Sequence, residues 1–211
     1  HTLLVLRKAT ELAGQHQLDS NERTAVLSAA LWHDVGKAVT PRHLLFNEDG
    51  SMLGKHHGHE DKEVVLPILD KVFSRLKPPK QVMNLVRDVA TEHLRVHRIR
   101  EGKPSKLVQF FEDNSFHNKG GKQYLKLMGL ACKADSLGRL LTIEGKIIPA
   151  PTEYPQLENL LNDYDAIRSV NLKDWIIEFT EKHDEKPSAD QIREEKRRRE
   201  IAAIKKIRTE S

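Results

Sequence analysis

Cysteine is almost absent: Cys132 is the only one in 211 residues, which excludes an intramolecular disulfide and makes a reducing cytoplasm the expected location. No apolar run approaches the ~20 residues needed to cross a bilayer, so a membrane is not an expected partner. A signal-peptide pattern is missing. So is an initiator methionine, since the chain opens at His1, and the expectation is a polypeptide that begins further upstream. Strand signals are few, and there is no internal repeat or low-complexity tract. Charge of one sign is not in large excess either: 35 Lys and Arg stand against 31 Asp and Glu, a net +4 that does not by itself imply nucleic acid.

What is present is helical periodicity, and the expected fold class is all-α. Leu3, Leu4, Leu6, Ala9, Leu12 and Ala13 mark a first helix from His1 to about Ala13. Asp19 or Ser20 caps a second that runs to Asp34, with Gly36 just past its end. A polar connection through Asn47 to Ser51 leads to a third helix from Gly58 or His59 to Leu76, in which Pro67 predicts a kink or a later start. Further helices are expected over Gln81 to Val96, Pro104 to Glu112 and Tyr124 to Leu141. Proline-rich residues from Gly145 to Pro155 then mark a boundary. It divides a core, 1–144, from a helical extension, 145–211, with helices over Asn159 to Val170, Lys173 to Glu181 and Ser188 to Arg208.

The second helix ends on adjacent polar groups, His33 and Asp34. Such groups are costly to bury unsatisfied, and a metal ion would satisfy both. In helical bundles, metal sites are built from side chains projecting inward from different helices. His1, His33, Asp34 and Asp135 are the candidate ligands here. Imidazoles with carboxylates suit Mn²⁺, Fe²⁺, Co²⁺, Ni²⁺ or Zn²⁺, and suit Mg²⁺ when waters complete its shell. The carbonyl end of the second helix also favours a cation. Basic residues cluster at Arg95, Arg98, Arg100 and Lys103, a candidate RNA contact. A second basic stretch from Lys196 to Arg208 is interleaved with acids and reads equally well as a solvated helix face.

An initial histidine, a later His-Asp pair and a distant aspartate resemble the pattern of the HD-domain phosphohydrolases. His33-Asp34-Val35-Gly36-Lys37 is similar to that family's His-Asp-x-Gly-Lys variant. His56-His57-Gly58-His59, His93, His97, the run Ala134 to Arg139 and the tail from Ile192 to Ile204 resemble the C-terminal HD domain of bacterial multifunctional CCA proteins. Essentially the whole chain is covered. The nucleotidyltransferase core of that family is expected to be missing from this sequence, since no Gly-Ser with a following Asp-x-Asp precedes His1. The chain is therefore not expected to add CCA by itself.

The resemblance implies an HD-domain helical bundle with 2′,3′-cyclic phosphodiesterase, 2′-nucleotidase and phosphatase activities, activated by Ni²⁺ or Mg²⁺. Its implied partners are tRNA and nucleotides carrying 2′,3′-cyclic or 2′-phosphates, with a homodimer through the helical domain as an option. His33, Asp34 and Lys37 are the expected catalytic residues. His57, His59, His93, His97 and Arg139 are expected to contact the phosphate or a second metal, with one metal preferred. Alternatives are a free-standing HD nucleotidase, an alarmone hydrolase, or a non-catalytic module that binds tRNA or dimerises. A cyclic-di-GMP phosphodiesterase is disfavoured, because no Gly-Tyr-Pro tripeptide occurs.

Overall fold

A computed structural model describes residues 1–47, 49–51, 56–143, 146–149 and 153–209. Its first helix, α1 (Thr2–Gln15), begins just after His1, and α2 (Ser20–Trp32) begins with a reciprocal cap. The Asp19 carboxylate accepts the amide protons of Asn21 and Glu22, both at 2.8 Å, while the Glu22 carboxylate accepts from the Asp19 amide at 3.2 Å. The buried face of α2 is Ala25, Val26, Ala29 and Ala30. Small side chains let neighbours approach closely, and α2 packs against α1, α4 (Lys80–His97) and α6 (Gly121–Leu137). The end of α2 therefore lies in the middle of the bundle.

In α4 the buried positions Val82, Leu85, Val86, Val89, His93 and Val96 follow the helical period, so His93 belongs to the stripe that faces the core. Asp135 sits likewise on the inward side of α6, one turn after Ala131 and Cys132. Between α2 and α4 run two 3₁₀ turns, Val35–Val39 and Arg42–Leu44, and then α3 (Lys62–Leu76). The third helix starts later than the periodicity predicts. His57 to Glu60 form a turn instead, in which Gly58 takes φ of 73°, a conformation that side chains disfavour. Pro67 stays inside the helix.

The sixth helix ends at Leu137 rather than Leu141. Leu140–Ile143 and Lys146–Pro149 pair as an antiparallel hairpin, β1 and β2, with Leu141 opposite Ile148. β-Branched Thr142, Ile143, Ile147 and Ile148 favour extended backbone over helix. After the hairpin, α7 (Gln156–Arg168) packs on α6, and α9 (Ala189–Thr209) packs on α7 and on α5 (Pro104–Asn114). Helix α8 (Lys173–His183) buries no residue. Tyr154, Leu160, Tyr164, Ile167 and Ile204 join the same apolar cluster as the side chains of α1 to α6. The expected boundary at residues 144 and 145, part of the proline-rich connection (150–152) and Glu48 lie outside the described residues.

Candidate metal centre

Three histidines are oriented by the same device. His33 Nδ1 donates to the Ala30 carbonyl at 2.8 Å, His59 Nδ1 to the His56 carbonyl at 2.6 Å, and His93 Nδ1 to the Val89 carbonyl at 3.0 Å. A carbonyl only accepts, so each Nδ1 carries a proton, and each ring, when neutral, presents Nε2 as a lone pair. Such outer partners are typical of metal-binding imidazoles. His33 and His93 are each only 1% exposed, and His59 is 9% exposed.

The Nε2 atoms converge on two carboxylates. His1 Nε2 lies 2.9 Å and His33 Nε2 3.4 Å from Asp135 Oδ1, and the two nitrogens are 3.3 Å apart. Asp34 divides its oxygens. Oδ2 is 3.1 Å from His33 Nε2 and 3.9 Å from His1 Nε2, whereas Oδ1 is 3.1 Å from His59 Nε2 and 3.7 Å from His93 Nε2. The result is two groups, His1 with His33 and Asp135, and Asp34 with His59 and His93, each with its ligand atoms within 4.8 Å of one another.

This arrangement fits a cation. His59 Nε2 and Asp135 Oδ1 are buried without a hydrogen-bond partner among the described residues, despite their close neighbours. Burial disfavours a charged His33, but the Asp135 and Asp34 carboxylates outweigh it and hold the imidazole up to about 9. His93 is pushed down to about 4 by burial and stays neutral. Burial also opposes ionisation of Asp34 and Asp135, yet the surrounding imidazoles hold both well below the usual carboxylate range. Two ionised carboxylates thus require nearby positive charge, and a divalent ion supplies it in place of protons.

The supporting residues come from several elements. Lys37 Nζ is 2.6 Å from Asp34 Oδ2. Gly36 is needed because the chain of the His56 to Glu60 turn passes against it: a Cβ there would sit 1.9 Å from the His59 carbonyl oxygen. Asp135 Oδ2 is gripped by His97 Nε2 at 2.7 Å and Arg139 Nη2 at 3.0 Å. The other His97 nitrogen meets the Tyr154 hydroxyl at 2.8 Å. Tyr154 is absent from the sequence reading, which treats its segment as a connection; no residue pattern announces it. A cavity of about 560 Å³ opens onto His1, Asp34, Lys37, His57, His59, His93 and Arg139.

The four basic candidates separate. Arg95 and Arg98 line a second cavity, between α3, α4 and α5, whereas Arg100 lines a third with Asn159 and Asp163. Lys103 is an exposed residue at the start of α5. In the later basic stretch, Arg197 pairs with Glu112, Arg198 and Arg199 with Glu195, and Lys196 with Glu200. Arg208 donates to Asp163 and to the carbonyls of Ile99, Arg100 and Gly102, which fastens the end of α9 to the connection between α4 and α5. No helix among the described residues is long and apolar enough to cross a membrane.

Comparison with known proteins identifies the family. The multifunctional CCA protein of Mannheimia succiniciproducens is 31% identical over 210 residues, 100% of this chain and 43% of the relative. That of Paraburkholderia phymatum is 37% identical over 156 residues, 74% of this chain and 33% of the relative. That of Shewanella frigidimarina is 31% identical over 176 residues, 83% of this chain and 36% of the relative. The chain thus spans less than half the length of these relatives. No solved structure gives a significant match. The HD domain family matches residues 1–140, a span that contains both groups of converging ligands, and the chain therefore belongs to this superfamily of metal-dependent phosphohydrolases.

Proposed function

We propose that the chain hydrolyses 2′,3′-cyclic phosphates and 2′-phosphates of nucleotides or RNA 3′ ends, as the HD portion of a cytoplasmic tRNA CCA-adding protein. The observation that carries the metal-dependent chemistry is the convergence of carbonyl-oriented Nε2 atoms on Asp34 and Asp135. The substrate class rests on the similarity to multifunctional CCA proteins.

In this reading His1, His33, Asp34 and Asp135 hold a divalent ion, Ni²⁺ or Mg²⁺ by resemblance and Mn²⁺, Co²⁺, Fe²⁺ or Zn²⁺ by donor chemistry. Bound there, the ion offsets phosphate charge and acidifies water. His97 and Arg139 fix the orientation of Asp135. Lys37, beside Asp34 and on the cavity wall, offsets charge on the phosphoryl group. His57 and His59 face the same space. Water adds to phosphorus, the bond to one ribose oxygen breaks, and that oxygen takes up a proton, which leaves a phosphate monoester from a cyclic phosphate and inorganic phosphate from a 2′-phosphate. Residues 1–144 form the catalytic core in this scheme, and 145–211 form an extension that supports it and contributes to tRNA contact or dimerisation.

A second reading places another ion at Asp34, His59 and His93, favoured by the Asp34 Oδ1 atom that faces both imidazoles. For either, the test is to strip the purified chain with chelator and add back divalent ions singly while following 2′,3′-cyclic AMP. Ion-dependent appearance of adenosine monophosphate is the expected result. Equal turnover in chelator would overturn the proposal.

A further inference from the structure

Beside the metal centre lies a separate cavity of about 470 Å³, and Leu94 of α4 lines both. Neighbouring residues divide the two spaces: His59 and His93 line the metal side, whereas Glu60 and Arg95 line the other. Leu94, Leu107 and Phe110 give the second cavity an apolar lining, and Arg95 lies over the Phe110 ring at 4.8 Å. Its charges are unequally satisfied. Glu92 is neutralised by Lys62 and Arg95, at 3.4 and 3.0 Å. The exposed Arg98 guanidinium has no partner among the described residues, and Lys106 reaches only the neutral Gln109, at 3.3 Å. Glu60 Oε2 is a buried acceptor without a hydrogen bond among the described residues; the nearby His59 Nδ1 proton is given to the His56 carbonyl.

An apolar lining beside an unpaired guanidinium matches two parts of a nucleotide, a base and a phosphate. We propose that this cavity is a nucleotide subsite, which takes the base of the terminal residue and the phosphodiester on its 5′ side while the terminal 2′ or 3′ phosphate occupies the metal centre. The assignment rests on the phosphohydrolase reading above and adds a substrate preference to it. An oligonucleotide end, which has a phosphate on the 5′ side of the reacting sugar, is then favoured over a cyclic mononucleoside phosphate, which has none.

The test compares two substrates, 2′,3′-cyclic AMP and the dinucleotide ApA ending in a 2′,3′-cyclic phosphate. Wild-type protein is expected to show the higher kcat/KM on the dinucleotide, and Arg98→Ala is expected to reduce the ratio between the two about tenfold, the order of one lost charge-assisted phosphate contact. Binding of fluorescein-labelled ApA 3′-phosphate to the chelator-treated full chain gives a second readout independent of hydrolysis. Arg98→Ala and Lys106→Glu should each weaken it about tenfold and lower the salt dependence by about one log–log unit. A ratio and a binding constant that do not move in either variant would overturn the subsite, even with hydrolysis intact. Loss of the phosphohydrolase reading would show itself separately, as turnover insensitive to added ions.

Discussion

The Asp34 carboxylate and the His59 imidazole meet at 3.1 Å through Oδ1 and Nε2, while the other Asp34 oxygen faces His33 and Lys37. One carboxylate thus joins the end of α2 to the turn before α3. Whatever disturbs Asp34 disturbs both halves of the site.

Replacing Asp34 or His33 with alanine is expected to abolish metal retention and hydrolysis while circular dichroism still reports a helical protein. The loss should exceed the roughly 10–100-fold cost of removing an outer partner of a metal ligand. Metal analysis alongside 2′,3′-cyclic AMP turnover checks it, and near-normal turnover in Asp34→Ala would refute the ligand assignment.

Metal stoichiometry distinguishes one ion from two. With one, His59→Ala and His93→Ala change KM or kcat and leave about one equivalent bound. With two, each variant loses one equivalent of a wild-type pair, because both imidazoles face the same Asp34 oxygen.

Gly36→Ala should be damaging without removing any functional group. The new Cβ would meet the His59 carbonyl oxygen at 1.9 Å and force the turn away from Asp34. Overpacking of this kind costs about 1–3 kcal/mol, which corresponds to a Tm lower by several degrees. Metal affinity, measured by titration, should fall with it.

Tyr154→Phe keeps the ring and removes the hydroxyl that meets His97 Nδ1 at 2.8 Å. His97 then has less to fix its grip on Asp135, so metal affinity is expected to drop about tenfold, with little change in helicity. Unchanged affinity would mean that Tyr154 only fills space.

Glu195 supplies a pH-dependent contact for α9. A hydrogen bond from Arg198, opposed by burial and joined by a hydrogen bond from Arg199, holds its carboxyl down to about 2 from the ordinary 4.5. A depressed folded-state value stabilises above the unfolded value and is lost as pH falls through the folded one. The stability advantage of wild type over Glu195→Gln should therefore be constant near neutrality and shrink between about pH 4.5 and 2. Urea unfolding across that range measures it.

Much of the architecture was legible in the sequence because helices leave a local record. The Asp19 cap, the periodic apolar residues of α4 and the start of α5 at Pro104 each depend on residues within a few positions of one another. Errors fell where local rules compete. The start of α3 gave way to a turn shaped by Gly58, and the end of α6 gave way to a hairpin, because Leu140 and Leu141 continue the helical period while the β-branched residues after them favour a strand.

By itself, the sequence determined the helical class and which imidazoles and carboxylates were available, since periodicity and residue chemistry are properties of short segments. Only the tertiary structure decided that Asp34 faces two groups at once, that His97 leans on Tyr154 57 residues away, and that Arg95 and Arg98 share a cavity while Arg100 faces another. Those relations depend on how α2, α4 and α6 cross and on where the chain returns after the hairpin. No local pattern encodes such distances; packing of the whole core sets them.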